Sequence, residues 1–315
     1  MKSEQGQIGV VVMTYGAPGS PEEIEAFYAE VRHGRAPSAE QLADLARRYD
    51  AIGGASPMAS RAAEQVAEIQ RQLDLRAPGR FVCKLGNKHS EPRIEDAVDA
   101  LAARDVRGLV SLVLSPHYSR SSVGEYLARA AGRARESSLP AVAVEHWHDH
   151  PVLVELLARR VANAFESLGP ARTPPLDQET TALLVTAHSL PVRAVDDDDP
   201  YLNQLRRTAE LVASRSGFTR WEVCLQSAGQ TPEPWLGPAL LDRLRALPDE
   251  NTRAAVVCPA GFTSDHLEVL YDLDIEARRV ATQSGLAFAR TASLNAEPRM
   301  CAALAELAIS RAEEF

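Results

Sequence analysis

Within the segment SDHLEVLYDLDIEA, residues 264–277, three carboxylates stand four residues apart: Glu268, Asp272 and Glu276. On a helix that spacing stacks side chains on one face, where like charges repel by about 0.2–0.5 kcal/mol per pair. The row is tolerated if water screens it on an outer surface, or if a cation sits against it. A capping box formed by Asp265 and Glu268 at a helix start would explain Glu268 alone. Asp272 and Glu276 lie deeper, where the positive amino end no longer helps, and Arg278 and Arg279 compensate only in part. Oxygen ligands joined by an imidazole suit a divalent ion such as Fe2+. The imidazole on offer is His188, in TALLVTAHSLP, which leaves an apolar run just before Pro191. By itself it reads as a hydrogen-bonded residue at a strand end; beside a carboxylate it becomes a metal ligand or a proton acceptor near neutral pH.

Other candidates are weaker. His146, His148 and His150 alternate in EHWHDH and would share one face of a strand; they read as decoration of a strand end rather than a metal site. Asp196–Asp199 reads as a solvated loop, since like charges extend the chain, and receives no chemistry. YGAPGSPEEI lacks the GxGxxG spacing of a dinucleotide site, and Ser20 or Pro21 simply starts a helix there. Arg32, Arg35, Arg47 and Arg48 would suit a ligand with several acidic arms, because a guanidinium fork grips carboxylates bidentately. Cys83, Cys224, Cys258 and Cys301 are far apart, form no CxxC pair, and read as buried free thiols.

These groups need a scaffold. Seven short apolar runs, IGVVVMTYG, RFVCKLG, GLVSLVLSP, AVAVEHW, TALLVTAHSLP, WEVCLQS and RAAVVCPAG, alternate with amphipathic stretches. The helical stretches include 38–49, 94–102, 152–165, 201–214 and 265–282. Strand followed by helix, repeated, gives right-handed crossovers and parallel sheets covered on both faces. The class is α/β, and 315 residues suit two lobes of about 150 each. The expected division is 1–150 and 151–315, at Asp149–Pro151; SLGPARTPPLDQET reads as an exposed loop. A faint echo between LVLSPHYS and LLVTAHSL would suit duplicated halves. Tyr15, Lys88, His89, His117, Ser119, His188, Ser189, Gln226 and Ser227 close successive apolar runs, and ligands bind beyond the carboxyl ends of such strands. A net charge of −9 without a dense basic stripe argues against nucleic acid. No apolar run reaches the roughly 18 residues of a spanning helix, and MKSEQGQIGVVVM lacks signal-peptide features. A soluble, cytoplasmic monomer without membrane insertion is expected.

The motifs resemble those of ferrochelatases, most closely the bacterial branch that inserts iron into coproporphyrin III. YGAP, YDAIGGASP, KHSEPRIEDAV, LSPHYS, TAHSLP, QSAGQTPEPWLGP and GFTSDHLEVLYDLDIEA occur in the family's order across nearly the whole chain. The resemblance implies two Rossmann-like lobes, without a nucleotide, enclosing a porphyrin cleft. By position, it implies that His188 and Glu268 handle metal and pyrrole protons on one side of the ring. Asp272 and Glu276 match an acidic face that conducts or holds metal, and Tyr15 matches a tyrosine that ligates iron from the opposite side. Arg32, Arg48, Ser56 and Tyr126 match propionate-holding positions; Lys88, His89 and Trp235 match further cleft positions. Fe2+ and coproporphyrin III would be the substrates and coprohaem the product, passed on through transient contact with another haem-pathway enzyme.

The chain departs from the pattern in places. His33 stands where relatives commonly carry a second basic residue, SAG lacks a mid-motif acid, and only Cys301 lies where some relatives hold an iron-sulfur cluster, so no cluster is expected. The alternatives are protoporphyrin IX as substrate, a cobalt or nickel chelatase acting on a sirohydrochlorin-like ring, and a non-catalytic haem or porphyrin carrier.

Overall fold

A computed structural model describes residues 6–169, 175–229 and 231–315. Strand β1 (Ile8–Thr14) is buried along its whole length, as a parallel strand covered on both faces must be. Alternation divides its side chains, with Ile8, Val10 and Val12 in one apolar cluster and Val11 and Met13 in another. β2 (Phe81–Asn87) and β3 (Gly108–Val113) flank β1, and β4 (Ala141–Val144) adds outside β3. The crossovers carry α1 (Ile24–Val31), α2 (Ala39–Ala51), α3 (Met58–Arg76), α4 (Ile94–Ala102) and α5 (Val123–Glu136).

The second sheet repeats the plan. β5 (Thr181–His188) lies between β6 (Trp221–Gln226) and β7 (Ala254–Cys258), with β8 (Ala287–Arg290) outside. Strand orders β2-β1-β3-β4 and β6-β5-β7-β8 are the same topology, all parallel. The helices are α6 (Pro151–Ser167), α7 (Tyr201–Ser216), α8 (Leu240–Ala246), α9 (Leu267–Leu270), α10 (Arg278–Gln283) and α11 (Pro298–Arg311). This is the expected two-lobed α/β architecture.

One apolar core joins the lobes. It holds Val10 and Val12 of the first sheet, Leu183 and Val185 of the second, Ile69 and Leu73 from α3, Leu153 and Leu157 from α6, and Leu304 from α11. The last helix is the bridge: α11 packs against α3 and β4 as well as α6, so residues 298–311 contribute to the packing of the first lobe although they follow Pro151. Asp199 adds a polar tie. It is buried, accepts from Ser119 Oγ (3.1 Å) and Arg120 N (2.9 Å) after β3, and accepts from Tyr201 N (3.0 Å) at the start of α7.

Several sequence expectations are corrected. The acidic run is not uniformly solvated, because Asp199 is enclosed by those donors. β8 was absent from the seven apolar runs: AFAR is four residues long and half its side chains are only partly buried. The late helix is not continuous over 265–282 but consists of α9, a π-helical turn over Asp272–Ala277, and α10. The histidines of EHWHDH follow β4 rather than alternating along it, and His150 Nδ1 instead accepts from Val152 N at the start of α6. The LVLSPHYS and LLVTAHSL echo pairs β3 with β5, whereas the repeated topology makes β5 the counterpart of β1. Of the loop SLGPARTPPLDQET, residues 170–174 lie outside the described residues, as do residues 1–5.

Candidate functional site

β5 delivers His188 at its carboxyl end, and the strand is held there from both sides. Tyr201 donates its hydroxyl to the His188 carbonyl (2.7 Å), and Thr186 Oγ1 donates to Gln226 Oε1 (2.7 Å). Gln226 Nε2 then donates to the backbone carbonyl of Glu268 (2.9 Å), tying α9 to β6. Gly261 brings the approach to α9 against β5: a Cβ there would stand 2.5 Å from Ala187 Cβ, and Gly261 N donates to Thr186 O (3.0 Å). The outcome is a contact across 80 residues of chain, with His188 Nδ1 3.1 Å from Glu268 Oε2. The two side chains remain 37% and 32% exposed, so the pair is reachable from solvent.

The expected capping box is absent. Asp265 is engaged by Ser293 Oγ (2.7 Å), Asn295 Nδ2 (2.9 Å) and Arg290 (3.4 Å), leaving Glu268 to His188. His266, extended at φ −159 and ψ −177, precedes α9 and places its Nε2 3.8 Å from Glu268 Oε2. Sequence reasoning missed His266, because helical spacing cannot place a residue whose backbone is extended.

Asp272 and Glu276 each precede a member of the buried row Leu273 and Ala277, as Glu268 precedes Val269. The acids therefore flank the helix's core-facing row, which brings Asp272 inward to 8% exposure while Glu276 stays half-buried, 3.8 Å from Arg279. Within the π turn, Glu276 N donates to Tyr271 O (3.0 Å); such turns recur where a helix serves a site. Asp272 Oδ2 accepts from Ser227 Oγ (2.5 Å), and Oδ1 lies 3.6 Å from Arg48 Nη1. Ser227 closes β6 at φ 60, a left-handed conformation rare for a residue with a side chain.

α2 positions the arginine partner. Ser38 caps it, with Gln41 N donating to Ser38 Oγ (3.2 Å) and Ser38 N donating to Gln41 Oε1 (3.1 Å). Arg48 also pairs with Asp44 (2.9 Å) and lies 5.2 Å over the Tyr271 ring, while Arg47 donates to the Tyr271 hydroxyl (2.7 Å). First-lobe arginines thus bind the acidic helix directly.

Electrostatics separate the acids. Burial pushes Glu268 up, but the charge and hydrogen bond of His188, with His266, hold it well below the usual carboxylate range. Burial depresses His188, yet the Glu268 charge and hydrogen bond, with the Asp272 charge, outweigh it and raise the imidazole above its ordinary value. Asp272 behaves oppositely: burial, then the Glu268 charge, pushes it up to about 7 against the Ser227 hydrogen bond and Arg48. The cluster thus has a histidine–carboxylate pair that favours the protonated imidazole, beside a carboxyl poised to exchange a proton near neutral pH.

The first lobe contributes an aromatic and basic group. The Tyr15 ring lies 4.6 Å from that of His89, and Lys88 Nζ lies 5.3 Å over Tyr126 while paired with Glu125 (2.6 Å). Burial raises the phenols of Tyr49 and Tyr126, and partial desolvation raises that of Tyr15, which is 38% exposed; the negative charge of Glu268 acts in the same direction on each. Burial lowers His89 to about 4, which leaves it neutral. Trp235 stands edge-on to His188 at 6.4 Å.

Other predicted residues sit apart from this contact set. Arg32 ends α1, lies 5.6 Å over Tyr28 and donates to Arg35 O (3.3 Å). Ser56 is buried and accepts from Met58 N (3.2 Å) at the start of α3. His117 and Ser119, expected at a cleft, are buried and tied to Thr208 (2.9 Å) and Asp199 (3.1 Å). The four cysteines are free thiols dispersed over β2, β6, β7 and α11, each pushed up to about 12 chiefly by burial.

The family model described as ferrochelatase matches residues 7–312. The chain belongs to the ferrochelatase family. This ferrochelatase is 40% identical over 308 residues to the coproporphyrin III ferrochelatase of Geobacillus sp. (strain WCH70), covering 97% of this chain and 98% of that protein. It is also 40% identical to the coproporphyrin III ferrochelatase of Halalkalibacterium halodurans, over 95% of both chains. Solved structures with the same fold include the sirohydrochlorin chelatase SirB of Bacillus subtilis subspecies spizizenii in complex with cobalt, at TM-score 0.55 and 12% identity, covering 98% and 94% of the two chains. CbiX, described as the terminal enzyme of siroheme biosynthesis in denitrifying bacteria, aligns at TM-score 0.52 and 17% identity, over 96% and 98%.

Proposed function

We propose that this ferrochelatase inserts Fe2+ into coproporphyrin III to give coprohaem in haem biosynthesis. The observation that carries the reading is His188 Nδ1 at 3.1 Å from Glu268 Oε2, with Asp272 beside them bound by Ser227 Oγ (2.5 Å) and facing Arg48 of the first lobe (3.6 Å). Insertion releases two pyrrole protons as Fe2+ enters, so the site needs cation ligands and proton acceptors together. His188, Glu268, Asp272 and Glu276 supply both. Asp272 takes a proton near neutrality, and the His188–Glu268 pair takes another once an arriving cation has displaced the proton it holds; the two groups titrate as a unit. Tyr15 stays a neutral phenol until a cation faces it. In this reading Arg32, Arg48, Ser56 and Tyr126 hold propionates, Arg48 by exchanging Asp272 for a ligand carboxylate, and Lys88, His89 and Trp235 line the cleft. Binding energy from those remote acids holds the ring where its nitrogens meet the metal.

No helix among the described residues is long and apolar enough to cross a membrane. We place the protein in the cytoplasm as a monomer that hands coprohaem to a transient enzyme partner.

The test is an anaerobic mixture of purified protein, Fe2+ and coproporphyrin III, followed by loss of the free-porphyrin spectrum. Wild type turns over repeatedly. His188→Ala lowers turnover by about 100-fold or more while still binding the ring. Stoichiometric binding without metallation would make the protein a carrier and sink the proposal. Faster metallation of protoporphyrin IX would move the substrate to that porphyrin.

A further inference from the structure

A second set of ligand-type side chains stands after β4. The chain turns there so that one ligand atom each from His146, His148 and Asp149 all lie within 4.8 Å of one another. The His146 and His148 rings are 5.0 Å apart. His148 is 8% exposed, yet its Nδ1 has no hydrogen-bond partner, an uncommon state for a buried ring nitrogen.

The backbone carrying these side chains is held firmly. Trp147 is buried, its Nε1 donates to Val113 O (3.1 Å) and its backbone N to Pro116 O (3.1 Å). Thr208 Oγ1 donates to the carbonyl of His148 (2.8 Å), and His150 turns away to accept from Val152 N (3.2 Å). His146 and Asp149 are exposed, so a cation can reach the group from solvent. Arg207 places a positive charge near His148 from α7, but is itself paired with Glu210 at 2.7 Å.

We propose that His146, His148 and Asp149 form a second divalent transition-metal site, distinct from the His188–Glu268 centre. Two imidazoles and one carboxylate are the donor set for Zn2+, Fe2+, Co2+ or Ni2+, and three protein ligands leave positions for water. Neighbouring ligands of a tetrahedral ion stand about 3.4 Å apart at bond lengths of about 2.1 Å. The exposed His146 and Asp149 side chains close that remaining distance by rotation, while buried His148 supplies the fixed point. The site does not depend on which porphyrin is metallated, or on metallation at all.

Co2+ is the probe, because its visible ligand-field absorption reports coordination directly. Full-length protein carrying His188→Ala and Glu268→Gln, which removes ligands at the first centre, is titrated with Co2+. The expected result is one bound ion per chain with a nitrogen-containing ligand field. Adding His146→Ala or Asp149→Asn, both at exposed positions that spare the core, weakens that binding by about tenfold or more each. Absence of the absorption, or binding indifferent to both substitutions, overturns the proposal. The porphyrin assay can fail without affecting this result.

Discussion

At the scale of residues, the late acids have different jobs because their surroundings differ. Glu268 favours the charged form of His188 against the desolvation that opposes it, so neutralising Glu268 lets burial dominate. Glu268→Gln is expected to lower the His188 imidazole toward or below its ordinary 6.5, read by NMR titration of that ring; an unchanged titration would refute the pairing. For Asp272 the sign reverses. Its folded value of about 7 exceeds its ordinary 3.8, so the native state retains a proton that the unfolded chain loses, and stability falls as pH rises between those values. Asp272→Asn keeps an acceptor for Ser227 and removes that loss. It is expected to stabilise by about 2–4 kcal/mol at pH 8 and far less near pH 4, measured by urea unfolding. Equal effects at both pH values would show that burial does not control this carboxyl. The Asp265–Glu268 spacing misled because a capping box assumes a helix starting at 265, whereas Asp265 is bound by Ser293 and Asn295 and His266 is extended.

At the scale of elements, the helix reading found the acid row but not its break. Apolar residues at Val269, Leu273 and Ala277 keep the same four-residue spacing in an α-helix and through the π turn, so periodicity does not distinguish them. β8 escaped because a run of four residues, two buried and two partly buried, is too short for its alternation to stand out. α9 depends on the seam between Gly261 and Ala187. Gly261→Ala places a Cβ 2.5 Å from Ala187 Cβ, forcing the loop off the strand that ends in His188. The expected cost is about 1–3 kcal/mol in chemical denaturation, with the His188 titration shifted away from its paired value because Glu268 recedes. A destabilised protein with an unmoved His188 titration would uncouple the seam from the site.

At the scale of the whole molecule, two copies of one topology have been given different chemistry at equivalent places. Thr14 donates to Asn87 (2.7 Å) between β1 and β2 as Thr186 donates to Gln226 (2.7 Å) between β5 and β6. Tyr15 follows β1 and His188 ends β5, so each lobe presents one aromatic side chain from its first strand. The lobes are tied by the α11 core and by Asp199. Asp199→Ala leaves the buried Tyr201 N–H, the part-buried Arg120 N–H and the Ser119 hydroxyl without their acceptor, with an expected loss of about 2–4 kcal/mol in thermal unfolding. Asp196→Ala removes only an exposed pair with Arg120 and is expected to cost under about 1 kcal/mol. Similar losses for both would show that Asp199 is not a tie.

The amino-acid sequence by itself determined the alternation of strand and helix, the α/β class, and the residues available at strand ends, because burial periodicity is a local property of a few consecutive side chains. Through long shared motifs it also pointed to the family. Only the tertiary structure decided that His188 meets Glu268 across 80 residues, that His266 and Ser227 join them, that Asp199 is enclosed, and that α11 returns to α3. Those meetings depend on how loops close between distant elements, and nothing in the spacing of neighbouring residues carries that distance.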